Sequence, residues 1–321
     1  MRRASCRSSR LEAQPVSAVV RSGLGSAIRS SWPRGRAYLV MTKPRIVTQL
    51  LIITLPAMLL AERGLPPAKV VFATLAGGAM AAASAGVFNC VLDADIDAVM
   101  NRTRHRPLVQ QVVPMGRAVV FGALLGCGSA TLLLLTTNLL TTVLTVFAIF
   151  FYVVVYTAVL KRRTTQNVVW GGVCGCMPVL IGWSAVTGTV EWPAFALFAV
   201  VFFWTPPHSW ALAMKYREDY VRAGVPMLPV KGTGEQVVTR ISVYSWAAVT
   251  STFLLIPVTG WVFAAAALAC GAWFLVAVHR LRSAVRSGAE ADAMTVFHRS
   301  NLFLCSIFAA LAVDSLTVPR W

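Results

Sequence analysis

The stretch VVFATLAGGAMAAASAGVFNCVLDADID, residues 70–97, runs from an apolar segment straight into a cluster of acids. Residues 70–92 carry no charge, and their length suits the ~20 residues an α-helix needs to cross a bilayer. Asn89, Asp93 and Asp97 then recur every four residues, which on a helix stacks three oxygen-bearing side chains in one column. A helix that enters the membrane with such a column at its end predicts a membrane protein with a polar site at one face of the bilayer.

Outward from this stretch the apolar pattern repeats. Spans are expected at about 46–62, 70–92, 118–136, 139–159, 168–187, 194–214, 241–260, 262–279 and 300–318. The composition agrees, with 57% hydrophobic and 13% charged residues, against about 25% charged in soluble domains. The fold class expected is an all-α integral membrane protein of about nine helices. Residues 1–37 carry many arginines and serines against the single acid Glu12, so a disordered basic N-terminal tail is expected there, followed by one membrane domain over 38–321. The bias of the tail also resembles a mitochondrial transit peptide.

The formal net charge is +17, yet its placement excludes a nucleic-acid partner. Basic residues gather in alternate loops: Arg102, Arg104 and Arg106; Lys161, Arg162 and Arg163; Lys215, Arg217, Arg222 and Lys231; Arg280, Arg282 and Arg286. The intervening loops, such as Thr136 to Asn138 and Gly188 to Pro193, are short and weakly charged. The positive-inside rule then puts the N-terminus and the acidic column on the cytoplasmic side. Six of the seven cysteines lie in or beside apolar segments without metal-binding spacing, and they read as small packing residues.

Carboxylates four residues apart repel one another and are costly near membrane depth, so they need cations or a polar cavity. Mg²⁺ suits them, because it commonly binds one or two carboxylates together with substrate phosphates. The competing reading is a solvated helix end paired to the following arginines. Asp95 lies between the column residues and points away. Arg102 and Arg106 either serve topology or cradle a phosphate. A second polar cluster, WTPPHSWALAMKYREDYVRAGVPMLPVKG, sets Lys215, Glu218 and Asp219 at the same depth; alone it reads equally as a Lys215–Asp219 helix-end pair. Between the clusters, Lys161, Arg162, Arg163 and Asn167 lead into a span with Gly171, Gly172 and Gly175, suited to close helix packing or to an apolar ligand. Lys161 is a candidate point charge for a diphosphate. His208, embedded in an apolar span, is a candidate ligand for haem iron or a propionate, or else a partner in an interhelical hydrogen bond.

These residues resemble the UbiA superfamily of intramembrane prenyltransferases. Its pattern of Asn, Asp and Asp at four-residue spacing is matched by Asn89, Asp93 and Asp97, and its second acidic motif by Asp219. TKPRIV (42–47), NRTRHRPL (101–108), YTAVLKRRTTQN (156–167), WTPPHSWAL (204–212) and DYVRAGVPMLPV (219–230) are similar to the haem-farnesylating branch. Two departures are Ser209, where the family often has an aromatic residue, and Lys215, where many members have an acid.

The resemblance implies helices around a central cavity and transfer of a farnesyl group from farnesyl diphosphate to the 2-vinyl group of protohaem (haem B). It implies Mg²⁺ on Asn89, Asp93, Asp97 and Asp219, with Asp93, Asp97 and Lys161 as catalytic residues. Asn89, Arg102, Arg106, Asn167, His208, Lys215 and Tyr220 are the substrate contacts expected. Expected partners are the two substrates, the lipid bilayer, and haem A synthase or terminal-oxidase assembly factors. The expected location is a bacterial inner membrane, with the mitochondrial inner membrane as the alternative. The competing functions are prenylation of an aromatic quinone precursor, which leaves WTPPHSW and DYVRAGVPMLPV unexplained, and cation-coupled transport, which expects acids at the midplane.

Overall fold

The computed structural model describes residues 33–317, and among these all regular elements are helical. In chain order they are α1 (Arg34–Met41), α2 (Pro44–Glu62), α3 (Ala68–Leu92), α4 (Ala94–Val99), α5 (Met115–Thr136) and α6 (Leu139–Phe150), which continues as a π-helix over Phe151–Leu160. Then come α7 (Asn167–Thr187), α8 (Trp192–Lys215), α9 (Arg217–Arg222), α10 (Leu228–Lys231), α11 (Gly234–Phe253), α12 (Trp261–Ser287) and α13 (Ala293–Thr317). Nine helices among the described residues are long and apolar enough to cross a membrane. The expected disordered tail lies outside the described residues up to 32; its last residues, from Arg34 on, belong to α1.

The spans were expected too short at three ends. Helix α11 begins at Gly234 rather than 241, because Thr233 and Gln236 form a reciprocal capping box ahead of its polar first turns. Helix α12 runs on to Ser287 rather than 279, and stops at Gly288, whose φ of 72° is the left-handed conformation glycine adopts freely. Helix α13 starts at Ala293 rather than 300. Apolar patterning marks the lipid-buried part of a helix, whereas caps mark its ends. Pro56, Pro178, Pro206 and Pro207 all lie inside helices, as membrane helices tolerate.

Helices α2, α7, α8, α11, α12 and α13 share the main apolar core, where Phe274 stacks on Phe303 with ring centres 5.4 Å apart. Helices α5 and α6 are peripheral, with Leu124, Leu135, Val143 and Phe150 exposed on what is the lipid-facing surface of a membrane protein. Enclosed by α2, α3, α6, α7 and α8 is a cavity of about 340 Å³. Ile46, Leu50, Ala81, Ala85, Met177 and Pro178 give its walls an apolar character. Lys43, Gly86 and Tyr156 stand at one end, and Thr54, Thr74 and Ile181 at the other. Just past Ile181, a Cβ on Gly182 would meet the Thr54 carbonyl at 2.9 Å; only glycine lets α2 and α7 close together there.

Candidate active site

Helix α3 delivers Asn89 in its last turn and then bends. Asp93 leaves helical geometry (φ −96°, ψ 10°) and starts the short α4, although the amide of Asp93 still bonds to the Asn89 carbonyl at 2.9 Å and that of Asp97 to the Asp93 carbonyl at 2.8 Å. The column expected on one helix therefore survives across a break. Asn89 Nδ2 donates to Asp93 Oδ2 at 2.7 Å and to Thr157 Oγ1 at 3.1 Å, while Asn89 Oδ1 accepts from Lys43 Nζ. Asp95 points away, as expected, and makes paired bonds of 2.7 Å with Arg162.

Each buried acid of the two motifs faces a base of this chain. Lys161 Nζ donates to Asp93 Oδ2, Arg106 to Asp97 Oδ2 at 2.5 Å, and Arg222 to Asp219 Oδ1. An uncompensated buried carboxylate would cost several kcal/mol, and these pairings remove that cost. Among the described residues no three His, Cys, Asp or Glu side chains lie close enough to hold a metal ion. The set Asn89, Asp93, Asp97 and Asp219 is accordingly not gathered at one point: Asn89 touches Asp93, whereas Asp97 and Asp219 each turn to an arginine. The two acidic segments are nonetheless neighbours, since the Asn101 amide donates to Asp219 at 3.4 Å and Arg102 Nη2 to Tyr220 OH at 2.6 Å.

Asp93 Oδ1 is buried and has no hydrogen-bond donor; the Arg162 guanidinium is 4.0 Å away. A desolvated carboxylate oxygen beside other oxygen donors is the chemistry a hard divalent cation seeks, so the residues present fit Mg²⁺. Around them Lys43, Lys161, Arg162, Arg106 and Arg102 make a strongly cationic rim, suited to a diphosphate.

The π-helix explains how Lys161 reaches Asp93. With five-residue bonding, the Lys161 amide donates to the Tyr156 carbonyl at 2.8 Å; beside it the Thr157 hydroxyl donates to the Tyr152 carbonyl at 2.8 Å. This wider winding carries Thr157 to Asn89 and Lys161 to Asp93. π-Bonded turns gather at functional sites. Tyr152 and Tyr156, ring centres 5.4 Å apart, line the cavity beneath. A Cβ on Gly171 would strike the Tyr156 ring at 2.6 Å and one on Gly172 would press on Thr205 at 3.3 Å, while Gly171 and Gly175 line the cavity. The glycine cluster thus packs closely and also borders the cavity.

Lys43 was not among the expected site residues. It sits at φ 55° in the left-handed region, which costs a non-glycine residue roughly 1–2 kcal/mol. That turn before Pro44 aims its amine at Asn89. Gly86 makes the approach possible, since a Cβ there would press on the carbonyls of Met41 and Thr42 at 3.3 Å. Burial lowers the pKa of Lys43, and the charge of Arg106 adds to this, against the opposing pull of Cys90, Asp93 and Asp97. Asp95 is held below the usual carboxylate range by its Arg162 hydrogen bonds. For Asp219 burial pulls upward, but Arg222 and the amides of Asn101 and Arg102 outweigh it and the net shift is downward.

The remaining expected contacts divide. Asn167 is buried, donates to the Thr164 carbonyl at 2.8 Å and leaves Oδ1 unpartnered. The Arg102 guanidinium lies over Tyr216 and Tyr220, 5.3 and 5.0 Å from their ring centres. Arg102 and Arg106 are not on one helix, because the chain forms turns from Asn101 onward. Lys215 is exposed and does not pair with Asp219, since α8 breaks at Tyr216 (φ −106°, ψ 28°) and Asp219 takes Arg222 instead. His208 Nδ1 bonds to Ser300 Oγ at 2.9 Å, its ring between Trp204 (4.4 Å) and Phe297 (4.5 Å). That is the interhelical arrangement, and its neighbours Thr205 and Ser209, not His208, line the cavity.

Comparison with known proteins fits this geometry. Residues 50–306 match the family model described as the UbiA prenyltransferase family. A protein of Saccharopolyspora erythraea called protoheme IX farnesyltransferase 1 is 60% identical, over 87% of this chain and 89% of its own. A protoheme IX farnesyltransferase of Nocardia farcinica is 54% identical, over 92% and 94%. Among solved structures, a digeranylgeranylglyceryl phosphate synthase shares the fold with a TM-score of 0.74 at 17% identity, over 89% of this chain and 99% of its own. A UbiA homologue from Archaeoglobus fulgidus bound to DMAPP and Mg²⁺ does so with a TM-score of 0.63 at 16% identity, over 86% and 99%.

Proposed function

The chain belongs to the UbiA prenyltransferase family, and from that premise we propose that it transfers the farnesyl group of farnesyl diphosphate to the 2-vinyl group of protohaem (haem B), giving haem O and diphosphate. It is a membrane-embedded prenyltransferase. The observation that carries the reading is a cationic rim around Asn89 and Asp93 set on the mouth of an apolar cavity. Relatives 53–60% identical over most of the chain, named for protohaem farnesylation, support haem rather than an aromatic quinone precursor as acceptor.

Asn89 and Asp93, with Asp97 and Asp219 released from their arginines, are the residues that would hold Mg²⁺. When bound, the ion supplies charge neutralisation to the departing diphosphate. Lys161, Lys43, Arg106 and Arg102 bind the diphosphate oxygens, and Asn167, with its free Oδ1, steadies the loop that carries Lys161. The farnesyl chain lies down the cavity between α2, α3 and α7. Its C1–O bond breaks with the electron pair leaving on the diphosphate. Tyr152 and Tyr156 offer ring faces to the allylic cation, and the dry walls keep water from it. The terminal vinyl carbon of protohaem then bonds to C1. Water adds to the inner vinyl carbon and loses a proton, which completes the hydroxyethyl group.

The membrane domain in this reading spans 38–321, with 1–37 a basic N-terminal extension. The basic loops 102–106, 161–163 and 215–231 all lie at the active-site end, which supports a cytoplasmic N-terminus and a cytoplasmic entry for the diphosphate. Bacterial relatives support the cell membrane as the location. The partners proposed beyond the substrates are haem A synthase or terminal-oxidase assembly factors. The test is an assay of the purified protein with Mg²⁺, protohaem and farnesyl diphosphate, reading haem O by mass. Product that disappears with chelator and in Asp93→Ala supports the reading. Folded protein that instead prenylates a hydroxybenzoate or naphthoate would overturn the acceptor and keep the site.

A further inference from the structure

We propose that the open groove at the active-site end of α12, lined by His279, Arg282, Ser283, Arg286 and Ser287, binds the phosphate headgroup of an anionic phospholipid. These residues recur at offsets of three, four, seven and eight from His279, so they share one face of the helix. Followed toward the middle of α12, that face becomes Val276 and Leu268, 44% and 61% exposed. Beside it α11 exposes Val243 and Trp246. Exposed apolar side chains on spanning helices face acyl chains, so the groove begins at headgroup level. A ligand fitted to it has an anionic head above and apolar chains below, which favours a phospholipid over a free phosphate.

The groove is organised beyond what topology requires of three arginines. Trp246 Nε1 donates to His279 Nε2 at 3.2 Å, and the rings meet edge to face with centres 5.9 Å apart. With Nε2 accepting, Nδ1 is the ring nitrogen left to donate. Arg282 Nε is buried and makes no hydrogen bond, a donor without the acceptor that buried polar groups normally have. Glu235 bonds to Arg286 at 3.0 Å, but both are at least half exposed, and such pairs are weak. Arg282 and Arg286 against Glu235 leave one net positive charge, matching a monoanionic phosphodiester. Basic side chains at headgroup level on a membrane helix attract anionic headgroups.

The test exchanges the purified full-length protein from neutral detergent into phosphatidylglycerol or phosphatidylcholine of the same acyl chains, and counts retained lipid by native mass spectrometry. Wild-type protein is expected to retain phosphatidylglycerol about tenfold better, and Arg282→Gln or Arg286→Gln to lower that retention about fivefold each. Arg280→Gln, on another face of the same helix, is expected to change nothing. Prenyl transfer in detergent and the melting temperature serve as folding controls. Should Arg282→Gln fail to fold, the exposed Arg286→Gln carries the test alone. Equal retention of the two lipids, or phosphatidylglycerol retained undiminished by Arg282→Gln/Arg286→Gln, overturns the proposal. So does full displacement of the lipid by inorganic phosphate or glycerol 3-phosphate, which would mark a site for a free phosphate.

Discussion

Lys161, at the end of the π-helix, and Asp93, at the bend after α3, meet across 68 residues of chain, and each neutralises the other in a largely buried setting. Removing one partner of such a pair leaves a charge uncompensated and typically costs about 3–5 kcal/mol. Asp93→Ala and Lys161→Ala are therefore expected to lower the melting temperature in detergent as well as to abolish prenyl transfer. Lys161→Met with Asp93→Asn, which removes both charges, is expected to recover stability without activity. Melting curves and haem O measured by mass on the three proteins separate the two effects. A double variant no more stable than the singles would mean that the pair is not coupled.

Lys43 offers a second separation of fold from function. Its left-handed backbone costs any residue with a Cβ roughly 1–2 kcal/mol but costs glycine little. Lys43→Gly is thus expected to be about 1 kcal/mol more stable than Lys43→Ala. Both lose the amine that reaches Asn89 and rims the cavity, and both are expected to transfer farnesyl at least about tenfold more slowly, since one charge-assisted contact is worth some 1.5–3 kcal/mol. Equal stability of the two variants would remove the strain from the account, and unchanged rates would remove Lys43 from the site.

The nine spans and the acidic column were legible because each depends on local patterning. Apolar runs report burial in lipid, and the four-residue spacing of Asn89, Asp93 and Asp97 outlasts the bend at Asp93 because the backbone bonds continue through it. What patterning does not encode is where a helix departs from α geometry. The π-bonded turn that presents Lys161, the left-handed Lys43, and the break at Tyr216 that denies Lys215 its pairing with Asp219 all depend on backbone angles set by tertiary packing. Charge repeats had marked Lys161 as a topology residue and a phosphate contact at once, and the structure sets it against Asp93 of the acidic column.

With the farnesyl chain lying down the cavity as proposed, Gly78 marks a depth at which prenyl length is tested. Gly78 lies eleven residues before Asn89 on α3, which is about 16 Å along a helix at 1.5 Å per residue. A Cβ on Gly78 would meet only Leu51 Cδ2, at 3.9 Å, so a side chain fits there and fills cavity. Gly78→Leu is expected to slow transfer from farnesyl diphosphate about tenfold more than from geranyl diphosphate, an energy near that of a few buried methylenes. Gly77→Leu is the contrast. Its Cβ would lie 2.6 Å from Leu133 Cγ, so it is expected to destabilise the α3–α5 contact without changing chain-length preference. Competition between the two diphosphates, read by product mass, decides the matter; equal slowing of both by Gly78→Leu would move the end of the prenyl chain elsewhere.

Asp95 and Arg162 give the fold a small dependence on pH. The Asp95 carboxyl is held below its ordinary value by hydrogen bonds from Arg162. A carboxylate depressed on folding adds stability above its unfolded pKa, near 3.9, and loses that contribution as the pH falls through its lower folded value. Both side chains are more than a third exposed, so solvent screening limits the pair to at most about 1 kcal/mol. Asp95→Asn is accordingly expected to melt slightly below wild type at pH 7, with the difference shrinking from about pH 4 downward and in high salt. Arg162 also bonds to the Leu92 carbonyl at 2.7 Å, so Arg162→Gln is expected to cost more than Asp95→Asn and to keep a residual penalty in acid. Melting temperatures of the three proteins across this range provide the measurement. A deficit in Asp95→Asn that persists unchanged below pH 3 would assign it to lost packing and not to the ion pair.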